Sequence, residues 1–130
     1  PLSDGTVLVL KQALYGAVNE PGHTGGAARI QGVEVCGKTG TAQWGPQNKQ
    51  RTAAWFAGFV PAENPQYAFA AVYEGEPGDN SIHGGSHAAP LIGKVLKEIY
   101  GSKATDKSEE KEKSESPEKP KEEQPADESN

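Results

Sequence analysis

The 130-residue sequence has little of several residue types, and each shortage excludes a class of protein. Its only cysteine, Cys36, cannot form an internal disulfide. No apolar run is long enough to span a membrane, and no signal peptide is present. Basic residues are not clustered outside the C-terminal tail, so nucleic acid is not an expected partner. Methionine is absent and the chain begins at Pro1, and we therefore expect a piece of a longer protein.

Charge is distributed unevenly along the chain. Residues 102–130 contain 6 lysines and 10 acidic residues, a net charge of −4 out of the total of −5. This mixture of Lys, Glu, Ser and Pro buries too little apolar area to offset the entropy lost on ordering. We therefore predict a folded portion over residues 1–101 and a disordered, charged tail over residues 102–130.

Two segments have the pattern of a helix. Near the N-terminus, Ser3 or Asp4 can cap a helix whose apolar residues recur every three or four positions: Val7, Leu10, Leu14 and Val18. The second helix has Pro90 in its first turn and Gly101 as its expected end. One face of this second helix is apolar, formed by Leu91, Ile92, Val95, Leu96 and Ile99.

Three strand-like runs lie between the helices, at residues 32–43, 51–61 and 66–75. The loops between them are short and rich in Gly, Pro and Asn, as hairpin loops are. The predicted fold class is therefore α+β, with a three-stranded antiparallel meander covered by helices.

The first strand contains the triplet Lys38-Thr39-Gly40 within "VEVCGKTGTAQ". Strand alternation places Lys38 and Gly40 on one face and Thr39 and Thr41 on the other. If the strand lies at the sheet edge, an extended peptide can pair with its backbone, and Gly40 offers no side chain to hold that peptide away. Lys38 and the Thr39 hydroxyl could then bind a carboxylate. The alternative is an ordinary edge lysine that blocks aggregation.

Four segments in order extend this interpretation: "GKTGTAQ", "AWFAGFVP", "VYEG" and "GGSHAAP". Together they resemble the C-terminal part of the transpeptidase domain of class B penicillin-binding proteins, over residues 7–100. The resemblance implies a serine D,D-transpeptidase that cross-links peptidoglycan stem peptides and is acylated by β-lactams. It also implies the fold shared by serine β-lactamases and penicillin-binding proteins, with no cofactor. Gln43 and "AWFAGF" resemble the cell-elongation type, similar to penicillin-binding protein 2.

The resemblance assigns the catalytic set to Lys38, Thr39, Gly40 and Thr41. Lys38 would supply positive potential, and Thr39 would donate a hydrogen bond to the carboxylate of the stem peptide or β-lactam. Thr41 would act through its backbone N–H, as one of two oxyanion-hole donors. Lys38, Thr39 and Thr41 are thus also the implied substrate-binding residues.

The Ser-x-x-Lys nucleophile of the family is not found before the triplet. The only matches, at residues 108–111 and 116–119, lie in the charged tail, where a solvated lysine would be a poor base. Ser3, in "SDG", is predicted to be a helix cap rather than part of the family's Ser-x-Asn element. We therefore expect this chain to be an inactive fragment of the enzyme.

The resemblance also implies a location for the complete protein. We expect it on the extracytoplasmic side of the cytoplasmic membrane, anchored by an N-terminal segment absent from this chain, and within a cell-wall synthesis complex. The alternative function is a non-catalytic β-lactam-sensing or scaffold protein with the same carboxylate-binding strand.

Other chemically active side chains are interpreted as structural. Cys36, in mid-strand beside Val35, is predicted to be a packed residue rather than a nucleophile. His83 and His87 lie at a loop and helix start and do not predict a metal site. Core positions are predicted for Trp55, Phe56 and Phe59, and close packing of the last helix on the sheet is predicted for Gly84 and Gly85.

Overall fold

A computed structural model describes residues 1–114, with side chains described to residue 101. The predicted order of helix, three strands and helix is confirmed. The elements are α1 (Asp4–Asn19), β1 (Cys36–Trp44), β2 (Arg51–Val60), β3 (Tyr67–Glu74) and α2 (Ala89–Ser114). Short helical turns lie at Gly26–Ala28, Gln47–Lys49 and Gly84–Ala88, the last with π-helical geometry.

The sheet is the predicted antiparallel meander, in the order β1-β2-β3. β1 is an edge strand, and its Thr39 pairs with Phe56 of the central strand. β1 begins at Cys36, four residues later than the predicted strand. Gly32 has a φ of +77°, and Ile30 bridges Val33 across it, so the backbone turns here before it extends.

The core lies on one face of the sheet. Phe56 is fully buried there and stacks on Phe69, with ring centroids 5.4 Å apart. Trp55 points to the opposite face because consecutive strand residues alternate, and it remains 45% exposed. The prediction that Trp55 is a core residue is therefore wrong, and Phe59 is only partly buried.

α1 begins as predicted, with the Ser3 side chain accepting a hydrogen bond from the Thr6 N–H at 3.2 Å. Only the C-terminal part of its apolar stripe is buried: Val18 is inaccessible, whereas Val7 is 41% exposed. Asn19 donates from Nδ2 to the Val35 carbonyl at 2.7 Å and so holds the end of α1 against the segment entering β1.

α2 differs from the prediction in two respects. Ile92 and Leu96 are buried, but Leu91 and Val95 are exposed, so only part of the predicted apolar face packs. The predicted end at Gly101 is also wrong, since the helix continues to Ser114. Gly101 does not adopt the positive φ with which glycine ends a helix, and the Lys, Glu and Ala residues that follow favour helix.

The predicted disordered tail overlaps this helix. α2 extends over residues 102–114, residues 115–130 lie outside the described residues, and the disordered tail stays a prediction. The domain boundary at residue 101 stays a prediction. Between residues 1 and 114, no helix has the length and apolarity needed to cross a membrane.

Candidate active site

The Lys38-Thr39-Gly40 triplet lies in the first half of β1, at the edge of the sheet. The Lys38 side chain is exposed and curls back along its own strand. Its Nζ donates to the Thr39 carbonyl at 2.8 Å and lies 3.4 Å from the Thr39 hydroxyl. The ammonium charge is therefore held beside the Thr39 hydroxyl at one point of the edge.

The predicted division of the triplet between the two sheet faces is confirmed. Lys38 and Gly40 pair with Ala57 and Trp55, on the face away from the core. Thr39 pairs with Phe56 and so lies over the core face. The cation thus reaches the hydroxyl only by curling around the edge strand.

The Thr39 hydroxyl also donates to the hydroxyl of Thr24, with the two oxygens 2.8 Å apart. Thr24 lies in the glycine-rich loop after α1, fifteen positions earlier in the chain. Nothing in the sequence motif or its spacing singled out Thr24. Only the tertiary structure brings it to the triplet.

Two glycines of the π-helical turn pack directly behind the site: Gly84 lies against the sheet, which confirms its predicted role, whereas Gly85 lies against the loop that carries Thr24. A Cβ on Gly84 would lie 2.7 Å from the Gly40 carbonyl oxygen, and one on Gly85 would lie 2.4 Å from the Thr24 carbonyl oxygen. Both distances are shorter than real Cβ contacts, so only glycine fits at either position.

Thr41 directs its side chain away from the edge and toward this same turn. Its hydroxyl accepts from the Gly84 N–H at 3.4 Å. Because that hydroxyl is occupied on the core side of β1, any contribution of Thr41 at the open edge falls to its backbone.

Cys36 is fully buried and is a free thiol, which confirms its predicted packing role. Its Sγ donates to the Lys11 carbonyl of α1 at 3.8 Å. Burial raises the pKa of the Cys36 thiol above its ordinary value. The thiolate needed for nucleophilic attack is therefore disfavoured.

The two histidines near the π-helical turn are joined by a contact between the His87 ring and the His83 backbone. Nδ1 of His87 lies 2.8 Å from the Ser86 hydroxyl and accepts from the His83 backbone N–H at 3.3 Å. The His87 ring also packs against Tyr73, with centroids 5.0 Å apart. Within the described part of the chain, no group of three His, Cys, Asp or Glu side chains could hold a metal ion.

The site combines an antiparallel sheet, a Lys-Thr-Gly edge strand and the glycines of the π-helical turn. These features define the class of protein. The chain belongs to the family of penicillin-binding protein transpeptidase domains, whose model matches residues 1–100.

Individual relatives agree with this assignment. The chain is 37% identical over 83 residues to the probable peptidoglycan D,D-transpeptidase PenA of Neisseria gonorrhoeae, covering 62% of this chain and 14% of that protein. It is 41% identical over 64 residues to the peptidoglycan D,D-transpeptidase PbpA of Mycolicibacterium smegmatis, covering 48% and 13%. The chain therefore spans less than a sixth of the length of these two relatives.

A solved structure gives the same result. The transpeptidase domain of the FtsI4 D,D-transpeptidase from Legionella pneumophila superposes with a TM-score of 0.64 at 34% identity, covering 75% of this chain and 36% of that one. The predicted resemblance to class B penicillin-binding proteins and the predicted fold are thus confirmed. The cell-elongation type stays a prediction.

Proposed function

We propose that this chain is the edge-strand portion of a serine D,D-transpeptidase that cross-links peptidoglycan stem peptides and is acylated by β-lactams. The observation that carries the proposal is the position of Lys38 and Thr39 on an edge strand of a transpeptidase-family sheet. The nucleophile and the Ser-x-Asn element belong, in this proposal, to a part of the protein outside this chain.

Lys38 and Thr39 form the carboxylate-binding pair. The Lys38 ammonium lies 3.4 Å from the Thr39 hydroxyl, so one carboxylate could accept hydrogen bonds from both. A hydrogen bond to a charged partner contributes about 1.5–3 kcal/mol, roughly twice a neutral one. The free carboxylate of a stem peptide or a β-lactam is the group that this pair would orient.

Thr41 supplies an oxyanion-hole donor through its backbone. Residues of an antiparallel edge strand alternate between bonding their neighbour and pointing both backbone groups outward. The Thr39 carbonyl accepts from Lys38 Nζ, which supports an outward orientation for Thr39, and Thr41 is two residues further along. Its N–H would therefore point to the same open edge as the carboxylate-binding pair, where it can stabilise developing negative charge. Gly40, between them, keeps the approach to the backbone clear.

The complete protein would work on the extracytoplasmic side of the cytoplasmic membrane, anchored by a segment outside this chain, within a cell-wall synthesis complex. Its substrate, peptidoglycan, lies on that side of the membrane. No nucleic acid, metal or cofactor has a part in this proposal.

The test is the second-order acylation rate of the full-length protein by a fluorescent penicillin. Lys38→Ala should lower this rate by about 10²-fold or more, because about 3 kcal/mol of electrostatic stabilisation of the transition state is lost. Thr39→Val should lower it about tenfold, as expected for one hydrogen bond. Lys97→Ala, which removes an exposed lysine from α2, is the matched control and should leave the rate unchanged.

Equal rates for Lys38→Ala and the wild type would show that the triplet is only structural. A protein that is acylated but forms no cross-linked product from stem peptides would instead be a β-lactam sensor or scaffold. The 130-residue chain alone should acquire no covalent label, and a stoichiometric adduct on it would contradict the fragment assignment.

A further inference from the structure

We propose that Thr24 is a positioning residue for Thr39, and that its hydroxyl sets the direction in which Thr39 donates its hydrogen bond. The inference rests on the proposed function, in which Thr39 binds the substrate carboxylate. Its starting point is the 2.8 Å separation between the two hydroxyl oxygens.

Thr24 is held in place by backbone contacts on both sides. The N–H of the next residue, Gly25, donates to the Ala17 carbonyl of α1 at 2.8 Å. The Thr24 carbonyl itself packs against Gly85, leaving no room for a Cβ there. The loop is therefore fixed to the end of α1 and to the π-helical turn at the same time.

The same π-helical turn also fixes the strand that carries Thr39. Gly84 packs against the Gly40 backbone, and its N–H donates to the Thr41 hydroxyl at 3.4 Å. Adjacent glycines thus place the Thr24 loop and β1 relative to each other. The contact between Thr24 and Thr39 is built into the scaffold rather than formed by two free surface side chains.

A hydroxyl is suited to this position because it both donates and accepts. Each threonine has one hydroxyl hydrogen, and in the structure Thr39 donates its hydrogen to Thr24. A bound carboxylate requires that Thr39 donate to the ligand instead. The Thr24 hydroxyl can then rotate and donate to Thr39, so that the Thr39 oxygen keeps its place while the hydrogen bond reverses.

This reversal moves no proton between residues and breaks no covalent bond. It lets Thr39 keep one rotamer in the free and the bound states, so little side-chain entropy is lost on binding. The Thr24 hydroxyl would also polarise Thr39 while Thr39 donates to the carboxylate. Valine has the same shape as threonine but can do neither.

The experiment measures acylation of the full-length protein across a range of penicillin concentrations, which separates binding from the chemical step. Thr24→Val should raise the concentration for half-maximal rate about fivefold, the scale of one neutral hydrogen bond, with little change in the maximal rate. Thr24→Ser keeps the hydroxyl and should stay within about twofold of the wild type in both quantities.

Two further variants separate positioning from packing. If Thr24 acts only through Thr39, the double variant Thr24→Val with Thr39→Val should be no slower than Thr39→Val alone. The matched control is Thr6→Val, which removes a similar exposed hydroxyl pair, Ser3 with Thr6 at 2.9 Å, at the other end of α1. It should leave acylation unchanged.

The outcomes distinguish this inference from the proposed function. If Lys38→Ala and Thr39→Val do not slow acylation, the proposed function fails. If they do, but Thr24→Val matches the wild type, only the positioning role is overturned. Equal defects in Thr24→Ser and Thr24→Val would also overturn it, since packing would then be the cause. If Thr24→Val does not fold, Thr24→Ala provides a second variant without the hydroxyl, read against the same criteria.

Discussion

The two faces of the central strand β2 differ sharply in exposure although both carry large apolar residues. On β2, Phe56 is fully buried against the helices, whereas its neighbour Trp55 is 45% exposed. The exposure of Val72, which pairs with Trp55 on the same open face, is 50%. A strand with water on one face normally alternates apolar and polar residues. β2 is therefore apolar on both faces, and the described part of the chain buries Phe56 on one face but leaves Trp55 exposed on the other.

The open face is not open along its whole length. Cys36 pairs with Phe59 on this face, yet it is fully buried and donates to the Lys11 carbonyl of α1. α1 therefore covers the beginning of β1. Trp55, which stays exposed, pairs with Gly40 of the triplet.

The largest effect should come from truncating the covered face. Phe56→Ala should lower the free energy of unfolding by about 3–5 kcal/mol because it leaves a cavity in the core. Trp55→Ala, the matched aromatic truncation on the open face, should cost less than half as much in this chain. Urea unfolding of the 130-residue chain in dilute solution measures both, and equal losses would show that the two faces are equally packed.

Two glycines of β1 should show the same difference between the faces, with smaller changes in stability. A Cβ on Gly37 would lie 2.7 Å from Cζ of the buried Phe56 ring, so Gly37→Ala should destabilise by about 1–3 kcal/mol through overpacking. A Cβ on Gly40 meets only the Cβ of Trp55, at an ordinary 3.5 Å. Gly40→Ala should therefore change stability by about 0.5 kcal/mol or less, as a typical surface substitution does.

The acylation rate should rank these two glycine variants in the opposite order, with Gly40→Ala the more impaired. In the full-length protein, Gly40→Ala should slow penicillin acylation by about tenfold or more, because the new methyl group displaces the ligand from the backbone. A wild-type acylation rate for Gly40→Ala would show that this position tolerates a side chain.

The smallest expected effect is a pH dependence from Cys36. Burial raises the pKa of this thiol in the folded state. The unfolded chain therefore ionises first as pH rises, so this stabilising contribution is complete below the unfolded pKa and is lost as pH rises through the folded pKa. Between about pH 8 and 10, unfolding free energy should fall more steeply for the wild type than for Cys36→Ala. Equal pH slopes for the wild type and Cys36→Ala would show that the buried thiol does not cause this pH dependence.

Much of the fold followed from the sequence because its signals are local. Ser3 predicts a cap through its own side chain, and the period-two runs predict strands whose short loops force antiparallel pairing. The errors arose where a local signal was overridden. Gly101 permits a helix to end but does not require it, and Trp55 is apolar whether or not anything covers it.

The candidate site likewise has features that follow from local sequence and features that follow from tertiary packing. The triplet and the alternation that separates Lys38 from Thr39 follow from the sequence, since both depend on neighbouring residues and strand geometry. The return of the Lys38 side chain to the Thr39 hydroxyl, and the contact of Thr24 from a loop fifteen positions away, result from tertiary packing. Such a contact depends on how α1, β1 and the π-helical turn pack together, and hydrogen bonds between distant side chains leave no periodic trace in the sequence.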